Sequence, residues 1–189
     1  MVWALSKDFC SSGFRVGVLY TQNKTLINGL SNLNVFSGVS HPMQMVLTDL
    51  LTDDKFIDSF LNESRKLLKR SYDTCVENLK AMEIPFVQAE AGIFIYCDFS
   101  AFLPEPTFEN EKILSDYLNR YARIVLTPGA CQRENKAGMF RICYAWVSHE
   151  VLCIAFERMK KLLMKINEDG FVSMISMDDD EIMKNILSV

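Results

Sequence analysis

Basic charge is in short supply. The 189-residue chain sets 20 Lys and Arg against 24 Asp and Glu, for a formal net charge of −4 and a pI near 5.3. No basic stripe is available to neutralise a phosphate backbone, so no nucleic-acid partner is expected. The densest basic stretch, Arg65-Lys66 with Lys69-Arg70, lies in a helical pattern beside acids and reads as a solvated face. Histidine is scarcer still, with only His41 and His149. The six cysteines (Cys10, Cys75, Cys97, Cys131, Cys143 and Cys153) form no CxxC pair, so neither a zinc site nor a disulfide framework is expected. Cys97 and Cys143 fall in strand-like apolar runs, Cys75 and Cys153 on helical apolar faces. These four are expected to be reduced, buried small hydrophobes in a cytoplasmic protein. No apolar run reaches the length of a membrane span, and no charged leader with an apolar stretch and cleavage site is visible. Internal repeats and low-complexity linkers are also missing.

What the chain does have is apolar mass. It is 49% hydrophobic with 13 Phe and 10 Met, at a mean hydropathy of +0.07, enough to bury a core. Strands are expected over Met1 to Leu5 and Phe14 to Tyr20, followed by helices over Asn23 to Asn34 and Pro42 to Leu51. From Asp53 the apolar positions Phe56, Phe60, Leu67, Leu68, Cys75, Val76 and Leu79 recur at helical spacings for nearly thirty residues. Asp53 and Asp54 stand at its start, where the helix dipole favours acids. Beyond it come strands at Ile84–Val87 and Gly92–Asp98, and a helix from Phe108 to Tyr121 with Thr107 as N-cap. Strands at Ile124 and Phe140 and a helix from Ser148 to Ile166 follow. After Asn167 the tail turns acidic at Asp178-Asp179-Asp180-Glu181, and a last short helix is expected from Glu181 to Leu187. Strands interleaved with helices indicate an α/β layered domain.

Two segments carry chemistry. In the first, Trp3-Ala4-Leu5-Ser6-Lys7-Asp8 is followed by a polar loop and then Gly13-Phe14-Arg15-Val16-Gly17. A lysine at a loop mouth is either a solvated surface residue or a nucleophilic amine suited to covalent carbonyl chemistry. Arg15 is either an edge-strand charge or a planar fork for a phosphate. In the second, Thr127-Pro128-Gly129-Ala130-Cys131 forms a turn, and Gly138-Met139-Phe140-Arg141-Ile142-Cys143 a strand with one embedded cation. An arginine there needs a partner, which is an internal salt bridge or a ligand carboxylate. His41, beside Pro42 at a helix start, reads as a capping or loop residue more than as a base.

The segment from Trp3 to Gly17 resembles the cofactor-lysine region of fold-type I pyridoxal phosphate enzymes of the class I/II aminotransferase family. Within that family it is most similar to the 1-aminocyclopropane-1-carboxylate (ACC) synthases. The second segment resembles their Pro-Gly turn and Gly-x-Phe-Arg strand. The resemblance covers roughly Val2 to Leu163. It implies pyridoxal 5'-phosphate as cofactor, Lys7 as the lysine that binds it covalently and later acts as base, Arg15 on its phosphate, and Arg141 on the α-carboxylate of a small amino-acid substrate. Where the family has a phosphate-binding serine, this chain has Ala4, so one phosphate hydrogen bond fewer is expected.

The implied fold is α/β, PLP-dependent transferase-like with the class I aminotransferase fold, and incomplete. Residues 1–51 would be the end of the cofactor-binding large domain, 52–166 the interdomain helix and small α/β domain, and 167–189 an acidic tail. The aromatic that stacks on the pyridine, the acid on its nitrogen and the glycine-rich phosphate turn precede the lysine in this fold type. The chain therefore reads as about half of an enzyme that would work as a homodimer. The implied reaction converts S-adenosylmethionine to ACC and methylthioadenosine. The alternatives are transfer of an amino group to a 2-oxo acid, and a truncated, non-catalytic binding or dimerisation module.

Overall fold

The computed structural model describes residues 1–171 and 179–188. The first strand, β1 (Val2–Ala4), pairs antiparallel with β2 (Gly17–Leu19), with Ala4 opposite Gly17. Both are shorter than the expected runs, for a local reason. Leu5 opens a helical turn, α1 (Leu5–Asp8), which buries its side chain with Val16 and Leu47. Ser12–Phe14 coil into a 3-10 turn, and Arg15 at φ 55° breaks extension before Gly17. Trp3, Phe9, Val39 and Met43 pack against this small cluster.

Helix α2 (Lys24–Ser37) starts where the Asn23 side chain accepts the Leu26 N–H at 3.2 Å. Helix α3 (His41–Thr52) has Pro42 in its first turn, where the missing N–H costs no hydrogen bond. His41 is its exposed first residue. The long helix α4 (Asp54–Ala81) runs 28 residues, begun by Asp53 Oδ1 accepting the Phe56 N–H at 3.0 Å. The chain divides into two compact units, Met1–Lys66 and Leu67–Val189, and the division falls within α4.

The second unit is built on a four-stranded antiparallel sheet in the order β3-β4-β6-β5. Its strands are β3 (Phe86–Val87), β4 (Phe94–Asp98), β5 (Thr127–Pro128) and β6 (Met139–Cys143). Alternation along β4 and β6 sends Ile95, Cys97, Phe140 and Ile142 to one face, all fully buried. That face shares a core with Leu114 and Leu118 of α5 (Phe108–Arg120) and with Leu152, Phe156, Met159, Leu162 and Ile166 of α6 (His149–Asp169). Each such side chain contributes about 1.5–3 kcal/mol on burial. Thr107 and Ser148 cap these helices through their hydroxyls. Ile182 and Ile186 of α7 (Asp179–Leu187) join the same core. Asp178 of the acidic run lies outside the described residues. Among the described residues no helix is long and apolar enough to cross a membrane.

Two expectations need correction. The run Ile124-Val125-Leu126 alternates like a strand, with Val125 82% exposed between buried neighbours, but the ladder to β6 forms only at Thr127 and Pro128. Extension without a partner backbone is not a strand, and the expected turn residues supply the pairing instead. Of the four cysteines expected to be buried, Cys75 and Cys97 are buried, while Cys143 and Cys153 are half-buried. Cys143 lies on the opposite sheet face from Cys97, one shared with Arg141. Burial pushes the Cys75 thiol up to about 12 and drives the Cys97 thiol up as well, so both behave as inert apolar groups.

Candidate active site

The ribbon of β1 and β2 gathers the first two candidate residues at one end. Ala4 pairs with Gly17, and the Leu5 N–H donates to Val16 O at 3.3 Å. Lys7 follows just beyond β1, and Arg15 stands just before β2. The Ser11 hydroxyl ties the intervening loop to Leu5 O at 3.1 Å. Lys7 lies in α1, not in the loop, and its side chain is exposed. Arg15 Nη1 donates to Ser12 O at 3.1 Å, and its side chain is exposed. An amine and a guanidinium open to solvent at one ribbon end fit an aldehyde and a phosphate, while Ala4 contributes no hydroxyl.

Backbone strain marks the same loop. Cys10 at φ 52° and Arg15 at φ 55° are non-glycine residues in the left-handed region, which costs about 1–2 kcal/mol each. The same conformation recurs at Glu83, Arg123 and Arg133. Arg15→Gly should therefore be more stable than Arg15→Ala by about 1 kcal/mol, read as a difference in urea midpoint. Equal midpoints for the two variants would remove the strain argument.

Arg141 belongs to the second unit. It sits on the half-buried face of the sheet with Phe94, Tyr96 and Cys143, opposite Tyr96 on β4 and Thr127 on β5. Its Nη2 donates to Thr127 Oγ1 at 3.3 Å, and its Cζ stands 4.2 Å from the centroid of the Phe94 ring. That ring offers a cation–π contact worth about 0.5–1 kcal/mol. Its Nε is buried with no hydrogen-bond partner, and among the described residues no carboxylate pairs with the guanidinium. The internal salt bridge, one of two partners open at the sequence level, does not form among the described residues. An unsatisfied buried donor costs about 1–3 kcal/mol. A planar fork left short of acceptors on a sheet face is suited to a carboxylate ligand.

Several residues around Arg141 escaped the sequence. Tyr96 donates its hydroxyl to Glu134 Oε2 at 3.0 Å. Burial first, and then the Glu134 hydrogen bond and charge, push the Tyr96 phenol up to about 12, so it remains a neutral donor near pH 7. Glu134 is held below the usual carboxylate range, first by the Asn135 N–H and then by Tyr96. A Cβ on Gly129 would come within 3.0 Å of the Tyr96 hydroxyl and of Met139 O, which is why glycine follows Pro128. Asp98 is raised by burial but lowered more by its hydrogen bonds from Lys136 and Ser100, and stays ionised. Glu111, on α5, is fully buried and accepts backbone N–H groups from Ala130 and Gly138. One signal for it was present in the sequence: Glu111, Leu114 and Leu118 lie at i, i+3 and i+7, so an acid occupies a core position of the helix.

Comparison with known proteins adds family evidence. The model for aminotransferase class I and II matches residues 1–159. A 1-aminocyclopropane-1-carboxylate synthase of Glycine max is 32% identical over 168 residues, which is 89% of this chain and 35% of that protein. The synthase-like protein 1 of Arabidopsis thaliana is 32% identical over 164 residues, 87% of this chain and 34% of that one. The chain thus spans about a third of these curated relatives, less than the expected half. An aromatic aminotransferase from Pyrococcus horikoshii superimposes with a TM-score of 0.76 at 22% identity, covering 90% of this chain and 43% of its own. A Thermus thermophilus aspartate aminotransferase double mutant gives 0.73 at 22%, covering 85% and 40%. At that identity the likeness establishes the fold, and it agrees with the expected α/β aminotransferase architecture.

Proposed function

Because the chain belongs to the class I and II aminotransferase family, whose members are pyridoxal phosphate-dependent enzymes, we propose that it supplies part of such an enzyme acting on an amino acid. The observation that carries this reading is Arg141, a half-buried guanidinium with an orphaned Nε and, among the described residues, no acid partner. Its fork grips the substrate α-carboxylate and fixes the orientation of the Cα–H bond. Arg15 would anchor the cofactor phosphate and Lys7 Nζ would hold the cofactor; once the substrate amino group has displaced it, the freed Lys7 amine would take the proton from Cα. When bound, the cofactor supplies the electron sink that makes loss of that proton possible. In this reading residues 1–51 end the cofactor-binding domain, 52–166 form the interdomain helix and small domain, and 167–189 the acidic tail. Six free cysteines support a reducing compartment, the cytoplasm, and the resemblance supports a homodimer.

The synthase-like reaction is preferred over transamination because the curated relatives carry that name at 32% identity. The substrate is then S-adenosylmethionine and the products are ACC and methylthioadenosine. The test incubates the cofactor-loaded protein that carries this chain with S-adenosylmethionine, and separately with simple amino acids plus a 2-oxo acid. Release of methylthioadenosine supports the synthase reading. Amino-group exchange without it shifts the assignment to an aminotransferase. Neither product, from protein that has bound cofactor, rejects the enzyme reading in favour of the non-catalytic module.

A further inference from the structure

Among the described residues, the most deeply buried charge in the second unit is one the chemistry above does not use. Glu111 is 0% exposed, and no cation pairs with it among the described residues. A buried carboxylate without a counter-charge persists only where hydrogen bonds replace its hydration. Here both bonds come from backbone at the two ends of one loop. Oε1 accepts the Ala130 N–H at 3.0 Å and Oε2 the Gly138 N–H at 2.7 Å. The loop they close joins β5, which carries Thr127, to β6, which carries Arg141.

Gly138 is gripped from a second side. Its carbonyl accepts the Phe99 N–H at 2.7 Å, and its φ of +91° admits no Cβ, which would fall 2.7 Å from Ser100 Cα. The loop is folded on itself between these ends, with the Glu134 N–H on Gly129 O at 3.1 Å. One carboxylate therefore fixes where β5 leaves the sheet and where β6 returns. Those two points set Thr127 opposite Arg141, and among the described residues the Thr127 hydroxyl is the one side-chain acceptor that directs the guanidinium.

We propose that Glu111 is a positioning residue: by clasping both ends of the 130–138 loop through its two carboxylate oxygens, it sets the direction in which Arg141 meets a ligand carboxylate. This rests on the reading of Arg141 as the carboxylate-binding residue. Its test separates the two claims. Amide hydrogen exchange is followed at Ala130 and Gly138 in the protein that carries this chain, in wild type and Glu111→Gln. The same proteins, loaded with cofactor, are then treated with aminooxyacetate and with methoxyamine, an oxyamine that lacks the carboxylate. The ratio of the two rates reports carboxylate recognition alone.

In Glu111→Gln one amide loses its acceptor and faces a donor. Exchange at both amides should rise ~10-fold or more, and the rate ratio should fall ~10-fold. In an Arg141→Lys background, Glu111→Gln should lower the ratio no further, because the planar fork it aims is already gone. Unchanged exchange would show that no clasp exists. Faster exchange with an unchanged ratio, or an equal further fall on top of Arg141→Lys, would reduce Glu111 to a purely structural role and overturn the proposal. If Arg141→Lys alone leaves the ratio at the wild-type value, the Arg141 reading fails and positioning has nothing to act on, whatever the exchange data show. Should Glu111→Gln not fold, Glu111→Asp keeps the charge, withdraws the acceptor and is judged by the same two readouts.

Discussion

Lys7→Ala should lose the covalent cofactor and at least ~10³-fold of turnover, within the range of a removed general base. The expectation follows from where Lys7 stands. It is exposed on a four-residue helical turn that begins directly after β1, and Leu5 of that turn is anchored in the small core with Val16 and Leu47. The backbone at residue 7 is thus fixed while the residue stays exposed. Alanine is at least as good a helix former as lysine, so the turn should survive the change. The measurement is borohydride reduction in the presence of pyridoxal phosphate, followed by peptide mapping. A cofactor-sized mass confined to the Lys7 peptide, and missing from Lys7→Ala, is the expected result. Label scattered over surface lysines in the wild type would refute the assignment.

Arg141→Ala should lower kcat/KM for the amino-acid substrate by ~10²–10³, the cost of leaving a carboxylate without its charged partner. Fold stability should change little. The substitution gives up the contact with the Phe94 ring and one 3.3 Å hydrogen bond to Thr127, but it also removes a buried Nε that has no acceptor. Those effects oppose one another at about 1 kcal/mol each. The informative signature is the divergence: a large kinetic loss at nearly constant thermal midpoint. Arg141→Lys should recover only part of the rate, since an ammonium keeps the charge and loses the bidentate geometry. A kcat/KM within about twofold of wild type in Arg141→Ala would move the carboxylate site elsewhere.

Much of the architecture was legible in the sequence, because most elements carry their own local signals. Asn23, Asp53, Thr107 and Ser148 each cap a helix expected from the sequence, the long one by its apolar spacing. Boundaries failed where tertiary pairing decided the outcome. Ile124 to Leu126 has the alternation of a strand and no backbone beside it, while Thr127-Pro128 has the composition of a turn and forms the ladder. The left-handed backbone at Arg15 was hidden for a similar reason: the residue type argues against it, and only the closed loop enforces it. A charge embedded in an apolar strand drew attention to Arg141, whereas Lys7 stood out through the resemblance of the Trp3 to Gly17 segment to a cofactor-lysine region. Glu111 stood in an equally anomalous position but needed the fold to reveal its partners, which are backbone groups far along the chain.

Pro128 has one more consequence, for solubility. It occupies β5, an outer strand of the four-stranded sheet, and the strand at the other margin, β3, is only two residues long. A sheet whose rim offers a row of free N–H groups invites another chain to add itself as a further strand. Proline has no N–H to offer, and two-residue strands give too little length for a foreign strand to zip onto. The exposed Val125 beside β5 would otherwise make this margin adhesive. The turn before Arg141 therefore also ends the sheet, protecting its edge from the addition of a foreign strand.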